Sequence, residues 1–75
     1  MNLKISNAFY KKVLQQLNFS SIEELKSIYQ IGPIISQRIY NEKWKMPFKS
    51  FNDLQYRVRY IGEKRKNYII KNLKK

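Results

Sequence analysis

The sequence lacks both cysteine and histidine throughout its 75 residues. Disulfide bonds are therefore excluded, and so are zinc sites built from these two ligand types. No apolar run approaches the roughly 18 residues of a membrane-spanning helix, and the N-terminus has no apolar stretch of signal-peptide length. We expect a soluble, intracellular protein that binds no membrane, metal or cofactor, and the composition leaves its compartment within the cell open.

Acidic residues are scarce, since five Asp and Glu accompany 16 Lys and Arg and leave a net charge of +11. The excess is uneven: residues 1–42 carry five basic and three acidic side chains, whereas residues 43–75 carry eleven and two. This asymmetry predicts a polyanionic partner for the C-terminal half, and plain solubilising charge is the alternative. No pair among the acids suits acid–base catalysis, so we expect neither an enzyme nor a small-molecule substrate.

Glycine and proline are also few, with two of each, and they punctuate a helical pattern that occurs twice. One copy spans residues 21–39 and the other residues 50–69, with one extra residue in the second. Each copy consists of a helix-capping serine, an apolar helix, an Ile-Gly turn and a second helix that begins at once. Because the pattern occurs twice, a chance occurrence explains it less well than it would explain a single Ile-Gly pair.

The apolar spacing is helical along the whole chain, so the pattern predicts an all-α fold of five short helices without a sheet. The expected helices cover about residues 6–18, 22–30, 33–43, 51–58 and 63–73. Ser21 and Glu24 have the spacing of a capping box, and Pro47 disfavours helix at Met46. We interpret residues 1–75 as a single domain with an N-terminal helix (1–19), a first hairpin (20–43), a connection (44–49) and a second hairpin (50–75).

Aromatic side chains make up 15% of the residues. We expect the four phenylalanines, Phe9, Phe19, Phe48 and Phe51, to fill the core. Trp44 lies between two lysines in the connection. It is expected to cover the core, and stacking on an exposed base is the alternative.

Each Ile-Gly turn has a chemical use, because a helix that begins directly after glycine directs unpaired backbone N–H groups outward at the positive end of its dipole. A phosphate oxygen can approach such a glycine closely. The donors would be the amides around Gly32 and Ile34 in the first copy and around Gly62 and Lys64 in the second. Two such turns on one core would grip a nucleic-acid backbone without reading its bases.

These residues resemble the helix-hairpin-helix family in its tandem form, as in the DNA-binding domains of competence DNA receptors and of chromokinesin tails. The resemblance covers about residues 18–73 and rests on the two Ile-Gly turns, their capped helices and the Pro-Phe connection. Gln30 and Tyr60 stand where the family usually has its first hairpin glycine. Ile34 and Ile35 occupy positions where the family commonly has lysine or other polar residues.

The resemblance implies a sequence-nonspecific DNA-binding module that contacts the phosphates of duplex DNA through hairpin amides and basic side chains. The second hairpin keeps its basic residues and is expected to be the main contact. The first is expected to be a weaker contact or a structural copy. The expected DNA-binding residues are Ile61, Gly62, Lys64, Arg65, Lys66, Arg59, Gly32 and Ile34. Arg57 would add a further positive charge before the second turn.

Two other functions stay open. The same fold serves as a structural piece in the extrinsic photosystem II subunit that resembles this family. A protein partner of this chain could use Ile34 and Ile35, or the first helix with Tyr10, Lys11 and Lys12. The basic charge permits RNA or ribosome binding equally.

Overall fold

Five α-helices and no strand are formed by residues 3–73, the part of the chain that the computed structural model describes. The helices are α1 (Leu3–Phe19), α2 (Ile22–Lys26), α3 (Gly32–Lys45), α4 (Phe51–Arg57) and α5 (Glu63–Leu73). The expected all-α class and the five helices are therefore confirmed.

The bounds of α1, α2 and α3 differ from the expectation by two residues or more. α3 continues to Lys45 rather than ending near residue 43, so the first two residues of the predicted connection (44–49) are helical. α1 is 17 residues long and begins at Leu3, so it is longer than the predicted helix over residues 6–18. α2 ends at Lys26 rather than at residue 30. Beyond it the amides of Ile28 and Ile31 donate to carbonyls three residues back, at 3.2 and 3.1 Å. These tighter turns end the helix early and bury both isoleucine side chains in the core.

Serine caps begin α2 and α4, as the spacing predicts. The Glu24 amide donates to Ser21 Oγ at 3.1 Å, and the Glu24 carboxylate accepts from the Ser21 amide at 2.9 Å, which completes a capping box. In α4 the Asp53 amide donates to Ser50 Oγ at 3.0 Å, but the Asp53 carboxylate accepts from the Lys49 amide. Both helices therefore use their own side chains to satisfy N-terminal backbone donors.

One hydrophobic cluster takes side chains from all five helices. Each helix contributes a fully buried residue, namely Leu17, Leu25, Ile39, Leu54 and Ile69 in chain order. Leu25 with Leu54, and Ile39 with Ile69, are equivalent positions of the two copies. The repeated apolar pattern thus forms a shared core, and α1 supplies part of it although it lies outside the repeat.

The phenylalanines divide between core and surface. Phe48 is buried and Phe51 packs against the core, as expected. The prediction is wrong for Phe9 and Phe19, which are 38% and 85% exposed. Phe19 follows the buried Leu17 by two residues, and this spacing places the two side chains on nearly opposite sides of a helix.

The inward position at the end of α3 belongs to Lys43 rather than to Trp44. The Lys43 ammonium is buried and donates to the carbonyls of Asn18, at 3.0 Å, and of Ser20. It also lies over the rings of Tyr40 and Trp44, 5.0 and 5.5 Å from their centroids. Trp44 is itself 71% exposed. It packs beside a cation, and the prediction that it covers the apolar core is wrong.

A reciprocal hydrogen-bonded pair fixes the connection between the two copies. Asn18 Nδ2 donates to the Phe48 carbonyl at 3.0 Å, and the Phe48 amide donates to Asn18 Oδ1 at 2.7 Å. Met46 is extended, with φ −165° and ψ 131°, as the following Pro47 predicts. The end of α1 is thereby joined to the segment that leads into α4.

Arg57 is a structural residue at the end of α4. Its Nε and Nη1 lie 3.4 and 3.1 Å from carboxylate oxygens of Glu42 and Asp53. Its Nη2 donates to the carbonyls of Glu42 and Met46 at 2.6 and 2.8 Å. The guanidinium also lies over the Phe48 ring, and the side chain is only 15% exposed. Arg57 is expected to offer its positive charge to phosphates, but its guanidinium instead holds α3, α4 and the connection together.

No helix among residues 3–73 combines the length and the apolar character needed to cross a lipid bilayer. In the same part of the chain, no three His, Cys, Asp or Glu side chains come together as a metal site.

Substitution of Arg57→Ala should lower the free energy of unfolding by about 2 kcal/mol, because the Glu42 and Met46 carbonyls lose their donor and the ring of Phe48 loses its cover. Urea unfolding followed by circular dichroism measures this loss. Arg59→Ala is the matched control, since Arg59 is exposed and its removal should change the stability by less than about 0.5 kcal/mol. Equal effects of the two substitutions would contradict the structural role of Arg57.

Candidate nucleic-acid interface

The turns of the two copies lie side by side and are joined by one guanidinium. Arg65 Nε donates to the carbonyl of Gln30 at 2.9 Å, and Arg65 Nη1 donates to the carbonyl of Tyr60 at 3.0 Å. An edge-to-face contact between Tyr29 and Tyr68, with ring centroids 4.9 Å apart, supports the same junction. Residues from both turns line a shallow groove between them, which we call the turn groove. The N-terminal end of α3 lines this groove with Gly32, Pro33 and Ile34, whereas the second copy contributes Tyr60 and Arg65.

Gln30 and Tyr60 both have left-handed backbone conformations, with φ of 71° and 74°. Both copies therefore have, at this position, a backbone conformation that favours glycine, although the residue carries a side chain. Such a conformation costs about 1 kcal/mol or more for a residue with a Cβ. The carbonyls of the same two residues accept from Arg65, and these hydrogen bonds offset part of the strain.

The two turns differ in their glycines. Gly32 is left-handed, with φ 65°, whereas Gly62 is not. A Cβ built on either glycine would meet no atom within 4 Å. A side chain at position 32 would therefore be opposed by its backbone conformation alone. At position 62 neither the backbone conformation nor a neighbouring atom opposes a side chain, which would occupy open space before the start of α5.

The N-termini of α3 and α5 lack the side-chain caps of α2 and α4. Ile31 at the N-cap of α3 makes no side-chain hydrogen bond, and Pro33 occupies the first turn. At α5 the Lys66 amide donates to the Gly62 carbonyl at 3.0 Å. The amides of residues 62–64 have no acceptor among the described residues. These donors remain for an acceptor from outside the molecule.

The basic residues of the second turn differ in what they already contact. Lys64 and Arg59 are exposed, and neither forms an ion pair or a side-chain hydrogen bond within residues 8–73. The Lys66 ammonium lies 2.8 Å from Glu63 Oε1. Arg65 uses two of its five N–H donors inside the molecule. Unshared positive charge is therefore supplied by Lys64 and Arg59, while Arg65 chiefly bridges the turns.

Glu63 stands at the first position of α5 and opposes an anion there. Hydrogen bonds from Lys66 and Gln55 hold the pKa of its carboxyl below the ordinary glutamate value, so the group is ionised at neutral pH. The carboxylate stabilises the positive end of the helix. It also neutralises part of the charge of Lys66, which leaves Lys64 as the more available cation beside the turn.

The other predicted contact residues are placed unequally. Ile61 is buried in the core, so only its main chain can reach a ligand. Ile34, at the start of α3, is 69% exposed, and Ile35 packs against the core. Gly32 lies beside them in the turn groove. An exposed isoleucine, not a cation, thus stands where the first copy would meet a phosphate.

Sequence reasoning missed the bridging role of Arg65. The repeat alignment pairs Arg65 with Ile35, and this mismatch between a charged and an apolar residue was the available signal. Because only the second copy carries the arginine, a single side chain serves both turns. Tyr60 is exposed beside this bridge.

No protein-family model, curated protein or solved structure matches this chain. The chemistry of the surface is therefore judged from its own geometry and charge.

Substitution of Arg65→Met should lower the free energy of unfolding by about 1 kcal/mol, because the carbonyls of Gln30 and Tyr60 lose their shared donor. Lys64→Met is the control, since it removes the same charge without an internal hydrogen bond and should change the stability by less than about 0.5 kcal/mol. Urea unfolding measures both. Unchanged stability of the Arg65→Met protein would contradict the bridge between the turns.

Proposed function

We propose that this protein binds double-stranded DNA without sequence preference, through backbone phosphates, in the manner of tandem helix-hairpin-helix domains. It would act as an accessory module that tethers a partner to DNA or helps to compact or process DNA. The observation that carries the proposal is the pair of helix N-termini without side-chain caps, which follow two turns joined by Arg65, in a molecule whose α2 and α4 are capped by serine.

The uncapped helices are suited to bind anions. α3 has 14 residues and α5 has 11, so both are long enough to present a helix dipole as well as free amides. Gly62 leaves open space in front of α5, where a phosphate oxygen could approach the main chain. Two such N-termini, held at a fixed separation by Arg65, would engage two phosphates of one duplex.

The charge of the molecule favours the same partner. Residues 43–75 carry eleven basic and two acidic side chains. Lys43 and Arg57 are used inside the fold, but Lys64 and Arg59 remain exposed beside the second turn. Concentrated positive charge accelerates association with nucleic acid and supplies most of the sequence-independent affinity.

Lack of sequence preference follows from the kind of donors at this surface. Base edges are read by side chains whose donors and acceptors match one base pair. The donors here are main-chain amides and the flexible side chains of Lys64 and Arg59, and contacts of such donors with phosphate oxygens carry no sequence information.

A protein-binding role is the second candidate, and it has an observation of its own. Ile34, Trp44, Met46 and Phe19 are all exposed. Exposed aromatic and apolar side chains are typical of protein interfaces. In this alternative the chain is a structural subunit of a larger assembly, and the exposed Ile34 replaces a phosphate contact with an apolar one.

We expect Lys64→Gln to weaken the binding of two unrelated duplexes to the same extent, and to reduce the slope of log affinity against log salt by about 0.9, because one phosphate contact is lost. Fluorescence anisotropy at several salt concentrations measures both quantities. Lys12→Gln on α1 removes the same charge away from the turns and should leave the slope unchanged. A loss that depends on base sequence, or tighter binding of structured RNA than of duplex DNA, would count against the proposal.

A second variant, Gly62→Ala, separates binding from folding. The added methyl meets no atom of the protein within 4 Å, so the stability should fall by no more than about 1 kcal/mol. Duplex affinity should fall about tenfold, because the methyl occupies the space that a phosphate oxygen needs. Urea unfolding and anisotropy on the same sample measure the two effects. Duplex binding of undiminished strength by the folded variant would remove the second turn from the interface.

A further inference from the structure

A second groove lies between α1, the start of α4 and α5, and we call it the helix groove. It shares no lining residue with the turn groove. Its volume is about 790 Å³, within the roughly 300–1,000 Å³ that is typical of ligand sites. Leu14 of α1 and Ile70 of α5 form part of an apolar wall.

Three lysines from three different elements line the helix groove. Lys11 comes from α1, Lys49 from the segment before α4, and Lys66 from the first turn of α5. The described lining residues include no carboxylate. Neither the Lys11 nor the Lys49 ammonium forms an ion pair within residues 8–73, so neither charge is neutralised by direct contact. The hydrogen bond from the Lys49 amide lowers the pKa of the Asp53 carboxyl, and the charges of Arg57 and Lys49 lower it further, so the Lys49 charge is partly shared and the Lys11 charge is not. The groove is therefore matched to an anionic ligand.

An aromatic ring stands among these cations. Tyr10 is 46% exposed and lines the groove. It contacts Phe51 edge to face, with ring centroids 6.1 Å apart, and contacts Phe9 in the same way at 5.4 Å. Phe51 packs against the hydrophobic core, so the ring of Tyr10 rests on a fixed support. A supported, partly exposed ring is suited to stack on a planar group of a ligand.

A nucleic-acid strand with unpaired bases is an anionic ligand that carries planar groups. Single strands are bound by aromatic rings that stack on bases and by cations that follow the phosphates. An acidic peptide would pair with the lysines but would make no use of the exposed ring. The helix groove also lies close to the proposed duplex contact, because Lys66 follows Gly62 by four residues, about 6 Å along α5. This proximity favours a nucleic-acid ligand for both surfaces.

We propose that the helix groove binds unpaired nucleotides of single-stranded DNA, with Tyr10 stacking on a base and Lys11, Lys49 and Lys66 contacting phosphates. The groove begins one helical turn from the second Ile-Gly turn, so the protein holds a duplex end together with its single-stranded extension. The assignment rests on the proposed duplex binding and makes junctions between duplex and single strand the preferred DNA.

The test compares a blunt duplex of about two helical turns with the same duplex extended by about six unpaired thymidines on either strand. Fluorescence anisotropy should show at least about fivefold tighter binding of one extended duplex, the low end of what one stacked base contributes. The double variant Lys11→Gln with Lys49→Gln should abolish this preference. The control Lys12→Gln with Lys71→Gln removes the same charge outside the groove and should retain it.

Substitutions of Tyr10 separate stacking from packing. Tyr10→Phe keeps an aromatic ring and should retain the preference for the extended duplex. Tyr10→Leu keeps an apolar side chain against Phe51 and should lose the preference. Circular dichroism of both proteins checks that each is folded.

The outcomes distinguish this inference from the proposed function. Equal affinity of the native protein for blunt and extended duplexes overturns the helix-groove assignment but leaves duplex binding intact. Absence of blunt-duplex binding overturns the proposed function. A deca-glutamate peptide that competes for the extended duplex as strongly as an oligothymidine of equal charge would make the groove a general anion surface, and would also overturn the assignment.

Discussion

The guanidinium of Arg65 sets the relation between the two halves of the repeat. By donating to the carbonyls of Gln30 and Tyr60 it holds the two left-handed turns against each other. Two weak anion sites at a fixed separation bind one polyanion more tightly than the same sites on independent segments, because the second contact is intramolecular. The proposed binding of a duplex at both turns therefore depends on Arg65, which uses two of its N–H donors inside the protein.

The predictable features of this fold are those that residues near in sequence determine. The capping box of Ser21 and Glu24 and the extended backbone at Met46 follow from local chemistry, and the structure contains both. The buried pair Leu25 and Leu54 follows from the repeat. Residues 27–30 belong to a predicted helix but form turns, because burial of Ile28 and Ile31 favours a tighter path than an α-helix offers.

The features that the sequence did not disclose join residues far apart in the chain. The Arg65 contact with Gln30 spans 35 positions, and the Lys43 contacts with the end of α1 span 23 and 25. Net charge alone cannot separate Lys43 and Arg57, which stabilise the fold, from Lys64 and Arg59, which face solvent. Only the packing of the helices decides which cations remain available to a partner. The sequence therefore predicts the two turns of the candidate site but not the Arg65 side chain that joins them.

The left-handed residues imply a conflict between stability and recognition. Glycine at positions 30 and 60 would relieve backbone strain, so a selection for thermal resistance alone should favour it. Backbone strain that a glycine substitution could remove, but that the sequence retains, is characteristic of functional sites. The side chains of Gln30 and Tyr60 both line the turn groove. A more stable variant with glycine at these two positions would therefore lose part of the surface that a ligand could contact. The two strained turns thus place an amide and a phenol on the surface that we propose as the binding face.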